Sequence, residues 1–187
     1  LTEREKHFTA AGRANTVLVF DTGDTAKAVL SSVIAQVRPQ NNSKRIIFSG
    51  PGTFSEKTRQ HIEDVVLKTA DNILGTLKQP KKSFEISVAN IGAASAQDIG
   101  LNISHYSADV SILLSILSSA LQIGIPEDFV FTGHIASQDG DISIVKDIPT
   151  KLESAAKTEA INTFVYPDSE QDDSLKTLSP IEEQKIS

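Results

Sequence analysis

A serine in this sequence has surroundings that would suit acyl-transfer chemistry. Ser107 stands where a long stretch of small residues, 90–102, leads into a predicted apolar helix over residues 107–123. The first backbone N–H groups of a helix have no intrahelical partner and lie at the positive end of its dipole, so they can stabilise an oxyanion. The alternative interpretation is a plain N-cap serine, which is common at helix starts.

A lysine could supply the base that such a serine needs. Lys151 lies on a predicted helix over residues 147–160, against an apolar stripe made by Ile148, Leu152 and Ala155. Apolar surroundings destabilise the charged ammonium and lower its pKa, and a neutral lysine can take a proton from a serine. Thr132, at the end of a predicted strand, could orient a lysine. The alternatives are a lysine whose ammonium reaches water and an ordinary β-branched strand residue.

The histidines allow a second hypothesis. His105 and His134 flank the Ser107 and Thr132 segments, and Asp109 is near, so a Ser–His–Asp triad is conceivable. No G-x-S-x-G motif surrounds the serine, which disfavours it. Two histidines without a spaced carboxylate cluster predict no metal site. The glycine-rich stretch that follows Ser49 lacks the phosphate-binding pattern, so no nucleotide site is expected.

Composition narrows the classes of protein further. The chain has 187 residues, a formal net charge of −6 and no cysteine, which excludes disulfides and thiolate catalysis. The acidic balance makes nucleic-acid binding an unfavoured hypothesis. No apolar run reaches the ~20 residues of a membrane span, and no signal peptide opens the sequence, so a cytoplasmic location is expected. Because the first residue is Leu1, we expect the chain to be part of something longer.

The elements that must position these side chains follow from hydrophobic periodicity. Residues 53–75 predict an amphipathic helix, with Thr53 and Glu56 as a capping box and Gly75 as its end. Asp139–Gly140 predicts a hairpin turn, and Asp147 with Pro149 a helix start. Strands are expected at residues 17–20, 29–37, 45–49, 84–88, 129–132, 142–145 and 163–166. The fold class is therefore α+β, with a loose segment over 1–13, one domain over 14–167 and an acidic tail over 168–187.

The order of these motifs resembles the proteolytic domain of Lon, a serine–lysine peptidase usually fused to an AAA+ ATPase. YSADVSILLSILSSAL is similar to the Lon segment in which Gly-Pro-Ser-Ala-Gly begins a long apolar helix. FVFTGHIASQDGDISIVKDIPTKLESAAKTEAINTFVYP is similar to its strand, Thr-Gly-Glu, hairpin and Lys-Leu-x-x-Ala-Ala helix. RIIFSGPGTFSEKTRQHIEDVV is similar to an earlier strand, turn and helix. The resemblance covers residues 12–167, and the spacing between the matched residues agrees to within about a residue.

The resemblance implies roles for individual residues. It places the nucleophile on Ser107, the catalytic lysine on Lys151 and the supporting threonine on Thr132, with the N–H groups of Ser107 and Ala108 near the oxyanion. It implies mixed sheets with packed helices that assemble into a ring, commonly a hexamer. It also implies a polypeptide substrate, no cofactor in this domain, and ATP and Mg²⁺ acting only through a separate ATPase domain or partner.

The sequence departs from the Lon pattern around the predicted site. His105 and Tyr106 replace the Gly-Pro before the serine, Asp109 replaces a glycine and His134 replaces the glutamate after Thr-Gly. Two further glycines are replaced before the lysine helix. We expect Asp109, His134 and His105 to modulate the cleft. The Ser-Ala-Asp sequence is closer to the Lon-like domain of RadA-type repair ATPases, which lacks the dyad, so a silent scaffold or oligomerisation domain is the alternative function.

Overall fold

The fold combines a mixed β-sheet with helices. A computed structural model describes residues 7–21, 26–40, 44–50, 53–90, 102–103 and 105–167. Its elements are β1 (Arg13–Asp21), β2 (Ala26–Arg38), β3 (Ile46–Ser49), β4 (Thr53–Phe54), α1 (Glu56–His61), a π-helical segment (Ile62–Val66), α2 (Leu67–Thr76), β5 (Ser83–Asn90), β6 (Asn102–Ile103), α3 (Asp109–Leu121), β7 (Phe129–Phe131), β8 (His134–Ile135), β9 (Ile142–Ser143), α4 (Ile148–Ala156) and β10 (Thr163–Val165). The predicted α+β class is confirmed, whereas ring formation stays a prediction.

The main sheet has six strands in the order β10-β7-β1-β2-β5-β3. β1 and β2 pair antiparallel along their whole length, from Arg13 opposite Ile34 to Asp21 opposite Ala26. β7 runs parallel to both β1 and β10, so three strands end at one edge. Thr132 follows β7 directly, and its backbone N–H donates to the Val165 carbonyl.

Apolar side chains cover both faces of the sheet. Val17 and Leu18 are neighbours on β1 and therefore point to opposite faces. Leu18 belongs to the larger core, which includes Ile112 and Ile116 of α3. Val17 belongs to a second core with Leu152 and other residues of α4. α3, which follows Ser107, and α4, which carries Lys151, thus pack on opposite faces of one sheet.

The serines of α3 let that helix approach the sheet closely. Ser111 and Ser115 are fully buried, and Ser111 Oγ donates to the carbonyls of Asn15 on β1 and Phe131 on β7. Ser118 Oγ accepts from the Gly12 N–H at 2.8 Å. A bulkier side chain at these positions would separate the helix from the strands, so the predicted buried helix is confirmed.

Several predicted boundaries are wrong, for reasons that lie in hydrogen bonding. Thr53 is in strand β4, and Ser55 caps the first helix by accepting from the Thr58 N–H, so the predicted capping box does not form. α4 ends at Ala156, and the Thr158 N–H bonds to the Ala155 carbonyl in a tight turn. Asp147 is the N-cap position of α4 but makes no side-chain cap hydrogen bond.

The predicted hairpin exists with a longer connection than expected. β8 and β9 pair antiparallel, with His134 opposite Ser143. Six residues, 136–141, join the strands, and the Ala136 N–H donates to the Asp141 carbonyl. Gly140 lies in this connection with φ of +89°, a conformation that favours glycine.

The segments predicted to be loose, loop or tail have different outcomes. Residues 7–12 lie in the segment expected to be loose, yet the Thr9 N–H bonds to the Ile125 carbonyl. Most of the predicted loop over 90–102 and all of the acidic tail over 168–187 lie outside the described residues. No helix in the described ranges has the length and apolar character needed to cross a membrane.

Candidate active site

Three residues predicted from the sequence meet at the carboxyl end of β7. Lys151 Nζ on α4 donates to Thr132 Oγ1 at 3.3 Å. Thr132 Oγ1 in turn donates to the Ser107 carbonyl oxygen at 3.2 Å, and the Gly133 N–H donates to the same oxygen at 3.0 Å. Ser107 and Lys151, 44 positions apart in sequence, are therefore joined through one threonine hydroxyl.

The two residues of the predicted dyad do not bond directly. Within the described residues, the structure has no hydrogen bond between Ser107 Oγ and Lys151 Nζ. Ser107 is half-buried. The arrangement brings the lysine to the backbone of the serine, and rotation of the serine side chain about χ1 decides how close Oγ comes.

Burial sets the protonation of Lys151. Its side chain lies between the sheet and α4 and is only 2% exposed. This burial lowers the pKa of Lys151 to about 8, and the nearby Asp147 carboxylate opposes the shift. A substantial fraction of the amine is then neutral slightly above neutral pH, which is the form that can accept a proton.

Ser107 is not the N-cap that the sequence suggested. Ala108 occupies that position, and the Asp109 N–H closes a tight turn onto the Tyr106 carbonyl. In the part of the chain that the structure describes, no acceptor bonds to the N–H groups of Ser107 or Ala108. The predicted role of these two groups in stabilising an oxyanion stays a prediction.

Gly133 holds Ser107 and the start of α3 next to the end of β7. Its N–H bonds to Ser107, and its carbonyl accepts from the Val110 N–H at 3.3 Å. A Cβ added at Gly133 would lie 2.6 Å from Val110 Cγ2. An added Cβ would therefore force Val110, which lies in the first turn of α3, to shift.

We expect Gly133→Ala to lower the free energy of unfolding by about 1–3 kcal/mol, because overpacking displaces the start of α3. Urea unfolding followed by circular dichroism measures this. Gly75→Ala is the matched control, since nothing lies within 4 Å of a Cβ there. That control should be neutral or stabilising by up to about 1 kcal/mol. Equal behaviour of the two variants would contradict the assignment.

Asp109, one of the predicted cleft residues, is the centre of a polar cluster. Its side chain is 1% exposed, and Oδ2 lies 2.7 Å from His61 Nε2 and 4.0 Å from His134 Nε2. The Ile135 N–H donates to the same oxygen at 3.0 Å. We call His61, Asp109 and His134 the His–Asp–His cluster. His105 is exposed and is not among the cluster's residues.

The sequence analysis missed His61. It lies 48 positions before Asp109 and no motif connects the two residues. The available signal was its place on the first helix, four residues before Val65 on the flank of the apolar face. The Tyr106 ring closes the cluster, with its centroid 4.3 Å from His61 and 5.2 Å from His134.

Burial shifts the titration of all three groups toward their neutral forms. It raises the pKa of Asp109 to about 8, against the lowering effect of the Ile135 N–H. Burial lowers the pKa of His61, assisted by nearby His134 and opposed by Asp64. Burial also lowers the pKa of His134. Both imidazoles are therefore mainly neutral at neutral pH.

The structure gives no support to the alternative Ser–His–Asp triad. Asp109 bonds to His61, and among the described residues no histidine bonds to the Ser107 hydroxyl. A serine activated by histidine needs that hydrogen bond. Lys151 is the basic group that the fold brings to Ser107.

A wide cleft of the described residues lies elsewhere. It has a volume of about 1160 Å³ and is lined by residues that include Arg13, Asn15, Glu127 and Asn162. Ser107, Thr132 and Lys151 are not among its lining residues. This cleft therefore gives no support to the predicted site, which depends on its hydrogen bonds and burial.

Comparison with known proteins gives no match to this chain, either among protein-family models or among curated proteins. The resemblance to Lon thus remains one of motif order and spacing. The arrangement of Ser107, Thr132 and Lys151 is the observation from which a function can be inferred.

Proposed function

We propose that this chain is a serine peptidase domain of the Lon-like kind, with Ser107 as nucleophile and Lys151 as general base. One observation carries the proposal: Lys151 is fully buried, has a lowered pKa and bonds to Thr132, which bonds to the Ser107 backbone. Burying an amine is costly, and an amine kept beside a serine at a helix start is suited to acyl transfer.

The proposed reaction has two stages, formation of an acyl-enzyme and its hydrolysis. Ser107 Oγ attacks the peptide carbonyl carbon while its proton passes to neutral Lys151 Nζ, and the Ser107 and Ala108 N–H groups stabilise the oxyanion. The C–N bond then breaks, and the ammonium of Lys151 returns its proton to the leaving amine. Water, deprotonated by Lys151, attacks the acyl-enzyme and releases the carboxylic acid, and the proton returns to Ser107 Oγ.

Thr132 positions the lysine in this scheme. Its hydroxyl accepts from Lys151 Nζ and donates to the Ser107 carbonyl. It therefore holds both the lysine amine and the serine backbone. The direct Ser107 Oγ to Lys151 Nζ hydrogen bond forms when the serine side chain turns toward the amine, with the backbone already held in place.

We expect Thr132→Val to lower kcat by about ten- to a hundredfold, because the buried ammonium loses its acceptor. Thr132→Ser keeps the hydroxyl and should keep most of the activity. Peptide-cleavage kinetics on both variants measure this, and circular dichroism confirms that both fold. Full activity in Thr132→Val, or a smaller loss there than in Thr132→Ser, would contradict the role of the hydroxyl.

Partners belong to the same proposal. A polypeptide is the substrate, and an AAA+ ATPase domain or subunit supplies unfolding and the ATP and Mg²⁺ requirement. Assembly into a homo-oligomeric ring, a hexamer by resemblance, would enclose the sites. The dyad chemistry itself uses no metal.

The proposal is tested with the whole chain, alone and joined to its ATPase partner, in casein and fluorogenic-peptide assays. A fluorophosphonate label located by mass spectrometry identifies the nucleophile. We expect cleavage together with labelling at Ser107 and none at Ser143, a half-buried serine elsewhere in the chain. Absence of cleavage and of Ser107 labelling in both settings would favour the silent Lon-like scaffold.

A further inference from the structure

The His–Asp–His cluster brings together side chains from three separate elements. His61 ends α1, Asp109 begins α3 and His134 begins β8. One ligand atom from each residue lies within 4.8 Å of the other two. Imidazole nitrogens and a carboxylate oxygen are ligands that zinc and related transition-metal ions accept, whereas Mg²⁺ and Ca²⁺ prefer oxygen alone.

Asp109 has an unsatisfied oxygen inside this cluster. Oδ1 is buried and has no hydrogen-bond partner, although Oδ2 bonds to both the Ile135 N–H and His61. A buried carboxylate oxygen without a partner is strongly unfavourable, because it loses water and gains nothing in return. A cation that contacts both carboxylate oxygens as well as the imidazoles would supply the missing partner of Oδ1.

We propose that His61, Asp109 and His134 bind one divalent transition-metal ion of the zinc class, through two imidazole nitrogens and the Asp109 carboxylate. Three protein ligands leave one tetrahedral position for water or another small ligand. The Ile135 N–H donates to Oδ2 of this carboxylate, and a ligand is commonly oriented by such a neighbouring group.

The adjustments required for metal binding are small. Ligand atoms at about 2.0–2.2 Å from a tetrahedral ion are about 3.3–3.6 Å apart. The His61 Nε2 to Asp109 Oδ2 distance is 2.7 Å and must widen, and the His134 Nε2 to Oδ2 distance is 4.0 Å and must shorten. Each of these two changes is under about 1 Å, and the two imidazole nitrogens lie within 4.8 Å of each other. His134 is 30% exposed, which gives it freedom to move.

No metal site was expected from the sequence, because His61 was not considered as a ligand. The cluster lies next to the proposed dyad, since Tyr106 precedes Ser107 and His134 follows Gly133. Metal binding does not require peptidase activity, so the two proposals can fail independently.

The test uses the whole chain after removal of metal by a chelator. Isothermal titration with Zn²⁺ and visible absorption of bound Co²⁺ measure affinity, stoichiometry and coordination. We expect one equivalent per chain, a raised thermal unfolding temperature with Zn²⁺, and no such change with Mg²⁺. His134→Ala should weaken Zn²⁺ binding by at least about tenfold, since even outer-shell substitutions have effects of that size.

The matched control is His7→Ala, an exposed histidine outside the cluster, which should bind Zn²⁺ as the unaltered chain does. Asp109→Asn provides a second test, and His134→Ala decides the matter if the buried substitution prevents folding. Failure of the unaltered chain to bind Zn²⁺ or Co²⁺ would overturn the proposal. Unchanged binding in His134→Ala, or equal loss in His7→Ala, would also overturn it.

Discussion

Ser107→Ala is expected to abolish peptide cleavage, and Lys151→Ala to lower kcat/KM by about 10²- to 10⁴-fold, the usual contribution of a general base. The reason is that the hydroxyl is a weak nucleophile until a neutral amine removes its proton. Fluorogenic-peptide kinetics measure both effects. Lys157→Ala is the matched control, because that lysine follows the same helix and its side chain is 70% exposed.

The pH dependence of cleavage tests the same assignment. The base must be neutral, and the pKa of Lys151 is lowered to about 8, so kcat/KM should rise as pH increases through about 8 and then level off. Lys151→Arg should be inactive at every pH in this range, because the guanidinium does not lose its proton. Unchanged cleavage in Ser107→Ala or Lys151→Ala would exclude the dyad.

The candidate site was predicted from the relative positions of Ser107 and Lys151 in the order of motifs. Neither residue alone would have indicated it. Lys151 beside Ile148, Leu152 and Ala155 indicated a buried lysine, and the structure confirms that burial. The strand before Thr132 and the apolar helix after Ser107 were also predicted correctly. Local periodicity carries such information because burial of one face is what selects helices and strands.

The errors arise where long-range hydrogen bonds decide the structure. The helix was expected from residue 107, but the Ser107 carbonyl bonds to Thr132 and Gly133 and so leaves the helix pattern. Likewise, Thr53 pairs with Asn102 in a parallel strand and cannot cap a helix. Neither partner is near in sequence, so no local pattern could have indicated it.

The His–Asp–His cluster shows the same limit more strongly. Asp109 was expected to narrow the cleft, and its contact with His134 follows from the predicted neighbourhood of α3 and Thr132. His61 comes from a different helix, and only the packing of α2 and the π-helical segment against α3 brings it near. A pair that far apart is accessible to sequence reasoning only through the fold.

Lys151→Met is expected to stabilise the protein at pH 7 while eliminating activity. The unfolded lysine has an ordinary pKa of 10.5, and the folded one about 8. Between these values the unfolded chain binds more protons, so stability rises with pH from about 8 to about 10.5. Below about 8 both states are charged, and the burial cost, about 3 kcal/mol, is fully present.

Methionine fills a similar space without a charge, so it removes that cost but leaves the Thr132 hydroxyl without its donor, a loss of about 1 kcal/mol. A net gain of about 2 kcal/mol at pH 7 is therefore expected from urea unfolding, and above about pH 10.5 only the loss of about 1 kcal/mol should remain. The exposed Lys157→Met variant removes a surface ion pair with Glu153, so it should change stability by no more than about 0.5 kcal/mol at either pH, and it corrects for other groups that titrate. A Lys151→Met protein no more stable than the unaltered chain at pH 7 would show that burial of this amine carries no cost. The loss of stability expected from a buried catalytic base would then be absent.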